Sequence, residues 1–506
     1  MNQSALTPEK LGLPKYIQAF LEPEFYPHAV ENIELIQTHI SWIILTGQYA
    51  YKVKKPLNLG FLDFSTLKKR KYYCEQELIL NQRITKNIYL EVCAVCLDNG
   101  QYQLGGDGEE AEYCLKMHQF NQAGLFDTLM AERQIKSEWM DDLAKDVARF
   151  HHLAEINVNP KINHASLLAE HIQGNLDVAA DNLDAAISVK DFRLLKMFAE
   201  TEIEKRWELL QIRQTQNHIR HCHGDLHTRN ITLIEGKPAV FDCIEFNDQF
   251  RIIDTMNDVA FLVMDCDEHQ RADLGFRFLS RYLEFSADYQ GLVLLPLYLF
   301  YRASVRGKVA CILAGGVPKT EQKQHWDEAK TYFELSLNYT KANKPKLFVV
   351  AGLSGSGKSF LALKGCGIER AIIIRSDAVR KRLHENLVHL NLYGQKMTEL
   401  TYQTMLDAAK STLKAGFSVI LDATFLEFGR RQQVRELADV HGVSLHFYWL
   451  DIAQDVLKAR IGARSKEKSD ISDADLSVLN KQLDQYQKPS EPWVQYYHNS
   501  EVWPSK

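Results

Sequence analysis

No apolar run in this chain is long enough to cross a bilayer. The most apolar stretch, Leu292–Tyr301, is short and carries Pro296, whereas a spanning helix needs about 20 apolar residues. No membrane partner is therefore expected. Neither sign of charge is in large excess. Lys and Arg number 60 against 65 Asp and Glu, for a net charge of −5 and a pI near 6.4. Bulk electrostatics thus give no pull toward nucleic acid or an anionic surface, and nucleic acid stays open as a partner only through a local basic groove. Cysteine is scarce, with nine scattered residues; the only close pair, Cys93 and Cys96, has no second pair to complete a zinc site. Reduced, mostly buried thiols in a cytoplasmic protein are expected. Met1 is followed by polar residues without a secretory pattern. What is present is ordinary globular material, 45% hydrophobic and 25% charged. At 506 residues it is too long for one core, so two or three domains are expected.

The chemistry concentrates in HGDLHTRNITLIEGKPAVFD, His223 to Asp242. A carboxylate at Asp225 is followed five residues later by the amide of Asn230, and the apolar run Ala239–Phe241 delivers a second carboxylate, Asp242. Phosphoryl transfer from ATP uses such a set. One carboxylate accepts the proton of the attacking hydroxyl, while an amide and a second carboxylate hold Mg²⁺ against the triphosphate. The pattern resembles the catalytic loop of the aminoglycoside phosphotransferase family, distant relatives of protein kinases. That resemblance implies Asp225 as base, Asn230 and Asp242 as metal ligands, and His223 and His227 as structural or phosphate-side residues.

Upstream, His39–Thr46 and Gln48–Lys54 read as strands divided by Gly47. Alternation puts Ala50, Lys52 and Lys54 on one face and Tyr49, Tyr51 and Val53 on the other. The run resembles the kinase strand whose lysine holds the α- and β-phosphates, with Lys52 in that role and Lys54 as the alternative. No GxGxxG loop precedes it, a departure from protein kinases. The helix expected over Lys68–Arg83 resembles the one that donates the lysine's carboxylate partner, which implies Glu77 in that role, with Glu75 close by and a solvated helix charge as the alternative. Tyr16–Glu22 and Ala29–Gln37 read as helices, Tyr89–Leu97 and Glu112–Met117 as strands, and Ser137–Ala154 as an amphipathic helix with His151 on its core stripe. Asp258-Val259-Ala260 resembles the helix start at which that family places an acidic brace for the catalytic loop, and a helix-start carboxylate is the other reading of Asp258. Arg302 and Arg306, at i and i+4, fit either an anionic substrate or acidic partners in the lobe.

Past the polar stretch Thr340–Lys346 the punctuation changes. The strand Leu347–Ala351 runs into Gly352-Leu-Ser-Gly-Ser-Gly-Lys-Ser359, a Walker A motif between a β run and a helix. In it Gly352, Ser354, Gly355, Ser356 and Gly357 form a backbone phosphate cradle, Lys358 spans the β- and γ-phosphates, and Ser359 binds Mg²⁺. Asp377 and Arg380 follow the strand Ala371–Arg375, and Asp422 ends the strand Ser418–Leu421 in a Walker B arrangement. The strand His446–Leu450 is expected to complete the sheet. The pattern is similar to P-loop kinases of the polynucleotide kinase and zeta-toxin type. That similarity implies Asp377 as base and Arg380 as acceptor-holding residue, with Arg460 and Arg464 as lid arginines facing the transferred phosphoryl group. An N-cap role for Asp377 and solvated helix charges for the two arginines are the alternatives.

The expected fold is α/β and α+β. An N-terminal bilobal protein-kinase-like domain (1–340) precedes a C-terminal P-loop NTPase with a doubly wound parallel sheet (343–506). The implied activity is ATP- and Mg²⁺-dependent transfer of the γ-phosphate to an unidentified hydroxyl acceptor, at two nucleotide sites. The alternatives are a regulatory ATPase, in which the P-loop domain gates the first, and a kinase acting on nucleic-acid or nucleotide-sugar ends.

Overall fold

A computed structural model describes residues 12–157, 159, 161–467, 476–498 and 500–504. The chain forms two compact units. The first comprises Met1–Ile135, Leu153–Val158 and His218–Asp254; the second comprises Lys136–His152, Asn159–Asn217 and Thr255–Lys506.

In the first unit an antiparallel sheet is built from β1 (Glu34–Gln37), β2 (Ser41–Leu45), β3 (Tyr49–Lys54), β4 (Tyr89–Asp98), β5 (Gln101–Leu104) and β6 (Glu109–His118). Their order is β1-β2-β3-β6-β4-β5. The helix expected over Ala29–Gln37 is not formed. Glu34–Gln37 instead pairs with β2 along its length, because a tight Thr38–Ser41 connection, with Thr38 N–H donating to Ser41 O at 2.9 Å, folds the segment back onto the sheet. Pairing across strands here outweighs local pattern. The short helix Lys15–Ala19 brings Ile17, with Leu13 and Phe20, onto one sheet face among Trp42, Ile44, Tyr51 and Val53. That leaves the lysines of β3 on the opposite face, where helix Leu67–Gln82 supplies Glu77. Thr66 caps this helix by accepting from Lys69 N–H.

The rest of the first unit carries two small ribbons. β7 (Ile219–His221) pairs with β10 (Ile252–Asp254), and β8 (Ile231–Ile234) with β9 (Lys237–Val240). Glu235 and Gly236, at φ 51° and 78°, make the two-residue turn of the second ribbon, the conformation that matches strand twist in tight hairpins. This hairpin explains how distant positions become neighbours. Asn230 precedes β8, Phe241 and Asp242 follow β9, and Phe241 N–H donates to Asn230 O at 3.0 Å.

The second unit contains the helices Ser137–Leu153, His164–Asp181, Val189–Thr215, Thr255–Glu268, Ala272–Ser286, Leu295–Gly316 and Gln322–Tyr339, followed by a parallel sheet. Its strands are β11 (Lys346–Gly352), β12 (Ala371–Arg375), β13 (Ser418–Asp422), β14 (Ser444–Leu450) and β15 (Val494–Tyr497), in the order β12-β13-β11-β14-β15. The sheet does not finish at β14, because β15 adds a parallel edge strand. Only four residues long and partly exposed, β15 carries too little apolar signal to be read from sequence. His151 is a satisfied core residue, bonded through its two ring nitrogens to Tyr282 Oη and Asp258 Oδ2, each at 3.0 Å. The Arg302–Arg306 pair is consumed structurally. Arg302 donates to Asn257 Oδ1 at 2.8 Å and Arg306 pairs with Glu328 at 3.3 Å. It therefore supplies no argument for an anionic substrate. Among the described residues no helix is long and apolar enough to cross a membrane.

Candidate functional site

In the first unit, β3 and helix Leu67–Gln82 bring Lys52 and Lys54 onto one carboxylate. Lys52 Nζ lies 2.7 Å from Glu77 Oε1, and Lys54 Nζ lies 2.6 Å from Glu77 Oε2. The lysines diverge beyond that shared anchor. Lys52 reaches Asp242 Oδ1 at 2.6 Å and lines the cavity, while Lys54, almost fully buried, pairs with Glu245. Glu75 is exposed and takes no part. Burial alone would raise the Glu77 carboxyl, but the ammonium groups of Lys52 and Lys54 overcome it and hold the group down at about 2. Desolvation opposes the charge on Lys52, yet Asp242 and Glu77 drive its pKa well above the ordinary lysine value. Glu245 moves the other way: burial pushes it up against the pull of Lys54. The cluster therefore keeps Lys52 charged in a place where an isolated ammonium would be costly.

Asp242 has φ 63°, a left-handed conformation that non-glycine residues adopt at a cost of about 1–3 kcal/mol and that gathers at functional sites. Its N–H donates to Tyr89 Oη at 2.9 Å, which holds the strained turn. Asn230 donates through Nδ2 to Asp225 O at 3.0 Å and to Asp225 Oδ2 at 2.9 Å. That orientation leaves its carbonyl oxygen, Oδ1, as the atom suited to a cation. His227 Nε2 lies 3.2 Å from Asp225 Oδ2. His223 is fully buried; Asp225 N–H donates to its Nδ1 at 3.2 Å, so its Nε2 is the protonated nitrogen that donates to Phe241 O at 2.9 Å. Gly224, at φ 87°, is required here, because a Cβ would sit 2.8 Å from Phe250 O.

These groups border a cavity of about 240 Å³ in the first unit. Ile43, Ala50, Ile88, Met117 and Phe241 give it apolar walls, while Lys52, Asn230 and Asp242 form its polar end. Such a division suits a planar base on one side and a phosphate chain with a hard cation on the other.

The second unit holds another cleft of about 330 Å³, at the carboxyl ends of β11, β12 and β13. Gly355 and Gly357 take φ 83° and 91°, which turns the loop into the start of helix Lys358–Glu369. Lys358 Nζ donates to Leu353 O at 2.9 Å. Ser359 Oγ donates to Asp422 Oδ2 at 2.6 Å, so the hydroxyl and carboxylate expected to share a cation already lie together. Ser354 is tied to Gln482 by two hydrogen bonds of 2.9 Å. Ser356 Oγ, fully buried, has no hydrogen-bond partner among the described residues, the kind of atom a phosphate in the loop would satisfy. Asp377 and Arg380 line the cleft; Arg380 Nη1 donates to Thr398 Oγ1 at 3.1 Å and Leu392 O at 3.2 Å. Arg460 also lines it and donates to Ser356 O at 3.3 Å. Arg464 belongs to helix Gln454–Glu467, but its side chain lies outside the described residues.

The residues named from sequence thus gather in two places. Lys52, Glu77, Asn230 and Asp242, with Asp225 bonded to Asn230, form one; the Walker loop, Asp377, Arg380, Asp422 and Arg460 form the other. Sequence reading gave no site role to Glu245, Tyr89, Arg375 or Gln482. An acidic residue inside the apolar run Cys243–Phe246 was a usable signal for Glu245, and a cation ending the strand Ala371–Arg375 was one for Arg375. Tyr89 and Gln482 carry no local signal.

Residues 77–294 match the family model described as a phosphotransferase enzyme family, and residues 347–489 match that of an AAA domain. An uncharacterized protein of Mycobacterium tuberculosis (strain ATCC 25618 / H37Rv) is 29% identical over 457 residues, covering 87% of this chain and 89% of the relative. One from Mycobacterium bovis gives the same figures. Among solved structures, a choline/ethanolamine kinase family protein from Mesorhizobium loti is similar at 9% identity and TM-score 0.39, over 64% of this chain and 97% of that one. A gluconokinase from Sinorhizobium meliloti is similar at 21% identity and TM-score 0.24, over 31% of this chain and 83% of that one.

Proposed function

Starting from a phosphotransferase that joins a kinase-like domain of the phosphotransferase enzyme family to an AAA-type P-loop domain, we propose that both parts are ATP- and Mg²⁺-dependent sites transferring the γ-phosphate to hydroxyl acceptors. The catalytic modules are residues 1–340 and 343–506. The carrying observation is the chain Glu77–Lys52–Asp242, ending beside Asn230 in one cavity with apolar walls.

In the first module Lys52 holds the phosphate chain of ATP, kept charged and aimed by Glu77. Asp242 and Asn230 Oδ1 are the oxygen donors for Mg²⁺, and Asp225 takes the proton of the attacking hydroxyl. In the second, the loop Gly352–Ser359 cradles the phosphates, Ser359 and Asp422 are the cation donors, Asp377 takes the proton, and Arg380 holds the acceptor. Arg460 and Arg464 offset charge on the transferred group. When bound, Mg²⁺ supplies neutralisation of the phosphate charge in both sites. Among the described residues, these donor sets of carboxylate, amide and hydroxyl oxygens fit a small hard cation.

The test follows radiolabelled γ-phosphate from ATP into a panel of hydroxyl-bearing metabolites and oligonucleotide ends, using the full chain beside Asp225→Asn and Asp377→Asn. Transfer that each substitution removes from its own acceptor supports the reading. Hydrolysis without transfer to any acceptor, unaffected by Asp377→Asn, would favour the regulatory ATPase instead.

A further inference from the structure

Helix Ala272–Ser286 lies wholly within the segment matched by the phosphotransferase family, yet it packs along the edge of the P-loop sheet inside one compact unit. Four contacts fix it there. Ser280 Oγ accepts the outward N–H of Ile373 on edge strand β12, at 3.1 Å. Gly367 sits against Asp273 so closely that a Cβ would meet its Cα at 2.5 Å. Arg382, from helix Ser376–Asn386, donates to Glu284 O at 2.8 Å and so covers a last-turn carbonyl. Finally, Glu284 grips Arg375 side-on, with Arg375 Nε at 2.5 Å from Oε1 and Nη2 at 2.7 Å from Oε2.

That last pair has a directional consequence. Arg375 is the final residue of β12, stands in register beside Asp422, and precedes Ser376 and Asp377. It lines the P-loop cleft with Lys358, Ser359 and Asp377. Both members are mostly buried, the side chains of Arg375 and Glu284 being 13% and 5% exposed. Glu284 is itself held by Arg281, and Arg281 together with Arg277 is anchored on Asp141. A bidentate, buried guanidinium–carboxylate pair fixes the plane of the arginine, which a freely rotating side chain at a strand end would not keep.

We propose that Glu284 is a positioning residue for the P-loop site: it holds Arg375 in the cleft wall, where the guanidinium engages the phosphate groups of the bound ligand. The P-loop site is then completed by a residue that precedes the Walker motif by about 70 positions. This rests on the reading of the cleft as a nucleotide site, and the experiment separates the two.

ATP·Mg²⁺ binding to the full chain is measured by calorimetry, and the P-loop share is defined as what Lys358→Ala removes. Arg375→Gln is expected to weaken that share about tenfold, as for loss of a charge-assisted contact. Glu284→Asp keeps the carboxyl group but withdraws it by one methylene. It is expected to weaken the P-loop share several-fold and to add nothing once Arg375→Gln is present. Should Glu284→Asp destabilise the chain, Ser280→Ala serves as a control for loosened packing at the same helix, expected to leave the P-loop share unchanged. Equal weakening by Glu284→Asp with and without Arg375 overturns the proposal, as does no weakening where Arg375→Gln weakens. If Lys358→Ala removes no binding, the nucleotide reading of the cleft itself falls.

Discussion

Asp225 and Asp242 are both carboxylates within one loop–hairpin, but their surroundings separate their tasks. Asp225 shares its Oδ2 with Asn230 and His227 and lies off the cavity wall, whereas Asp242 sits on that wall against Lys52. Asp225→Asn is therefore expected to leave ATP·Mg²⁺ binding at the first site near the parent value. Transfer should fall about 10²–10⁴-fold, the range for loss of a general base. Asp242→Ala is expected to lower both binding and turnover, with Asn230→Ala between them, because a neutral donor contributes less to a cation. Calorimetry with and without Mg²⁺, beside a turnover assay, distinguishes these patterns. Parent-like Mg²⁺-dependent binding in a folded Asp242→Ala protein would leave the first cavity without a metal role. At the same scale, Lys52 and Lys54 share a face and a partner, so strand alternation could not rank them. Their second partners do, because Lys52 ends at the cavity and Lys54 at the buried Glu245.

Helix Leu67–Gln82 is held to β3 largely through Glu77, whose carboxyl is fully buried between two ammonium groups. The pH consequence follows from the direction of its shift. An unfolded glutamate titrates near about 4.3, and the folded one is held at about 2. Its stabilisation is therefore complete above the unfolded value and is lost as pH falls from about 4.3 toward 2. Acid unfolding followed by circular dichroism should show this loss in the parent, with a shallower slope over that interval in Glu77→Gln. Identical slopes would mean that the lysines do not hold the carboxylate. The same element shows why the fold was only partly legible. Helix Leu67–Gln82 and its Thr66 cap are local features. β1 exists only because β2 lies beside it to pair with, and the helical pattern over Ala29–Gln37 gave no hint of that partner.

For the whole chain, the two proposed nucleotide sites make a stoichiometric prediction. Calorimetric titration of the parent with ATP·Mg²⁺ is expected to give two sites per chain. Lys358→Ala and Asp242→Ala should each reduce this to one, and the double variant should abolish binding. A single site in the parent, lost with either substitution alone, would contradict independent modules. Asp377→Asn is expected to abolish transfer to the P-loop acceptor about 10²–10⁴-fold while reducing background ATP hydrolysis far less. Parallel losses would point to an ATPase without an acceptor. These measurements use the whole chain because the P-loop sheet carries helix Ala272–Ser286 on its edge strand, so a cut near residue 340 would strip that edge of its cover.

The sequence by itself determined the chemistry that lives in short, contiguous spans. The Walker loop, the Asp225–Asn230 spacing and the strand-ending Asp422 each bring their groups together through one loop or one strand end, where backbone geometry follows from residue type. Only the tertiary structure decided which lysine faces the cavity, that Glu245 neutralises the other, that Arg302 and Arg306 are internal, and that Arg375 is gripped from another segment. Each of those outcomes depends on partners from about twenty to nearly two hundred residues away. A side chain's charge is legible in its own codon, but what neutralises it is set by packing.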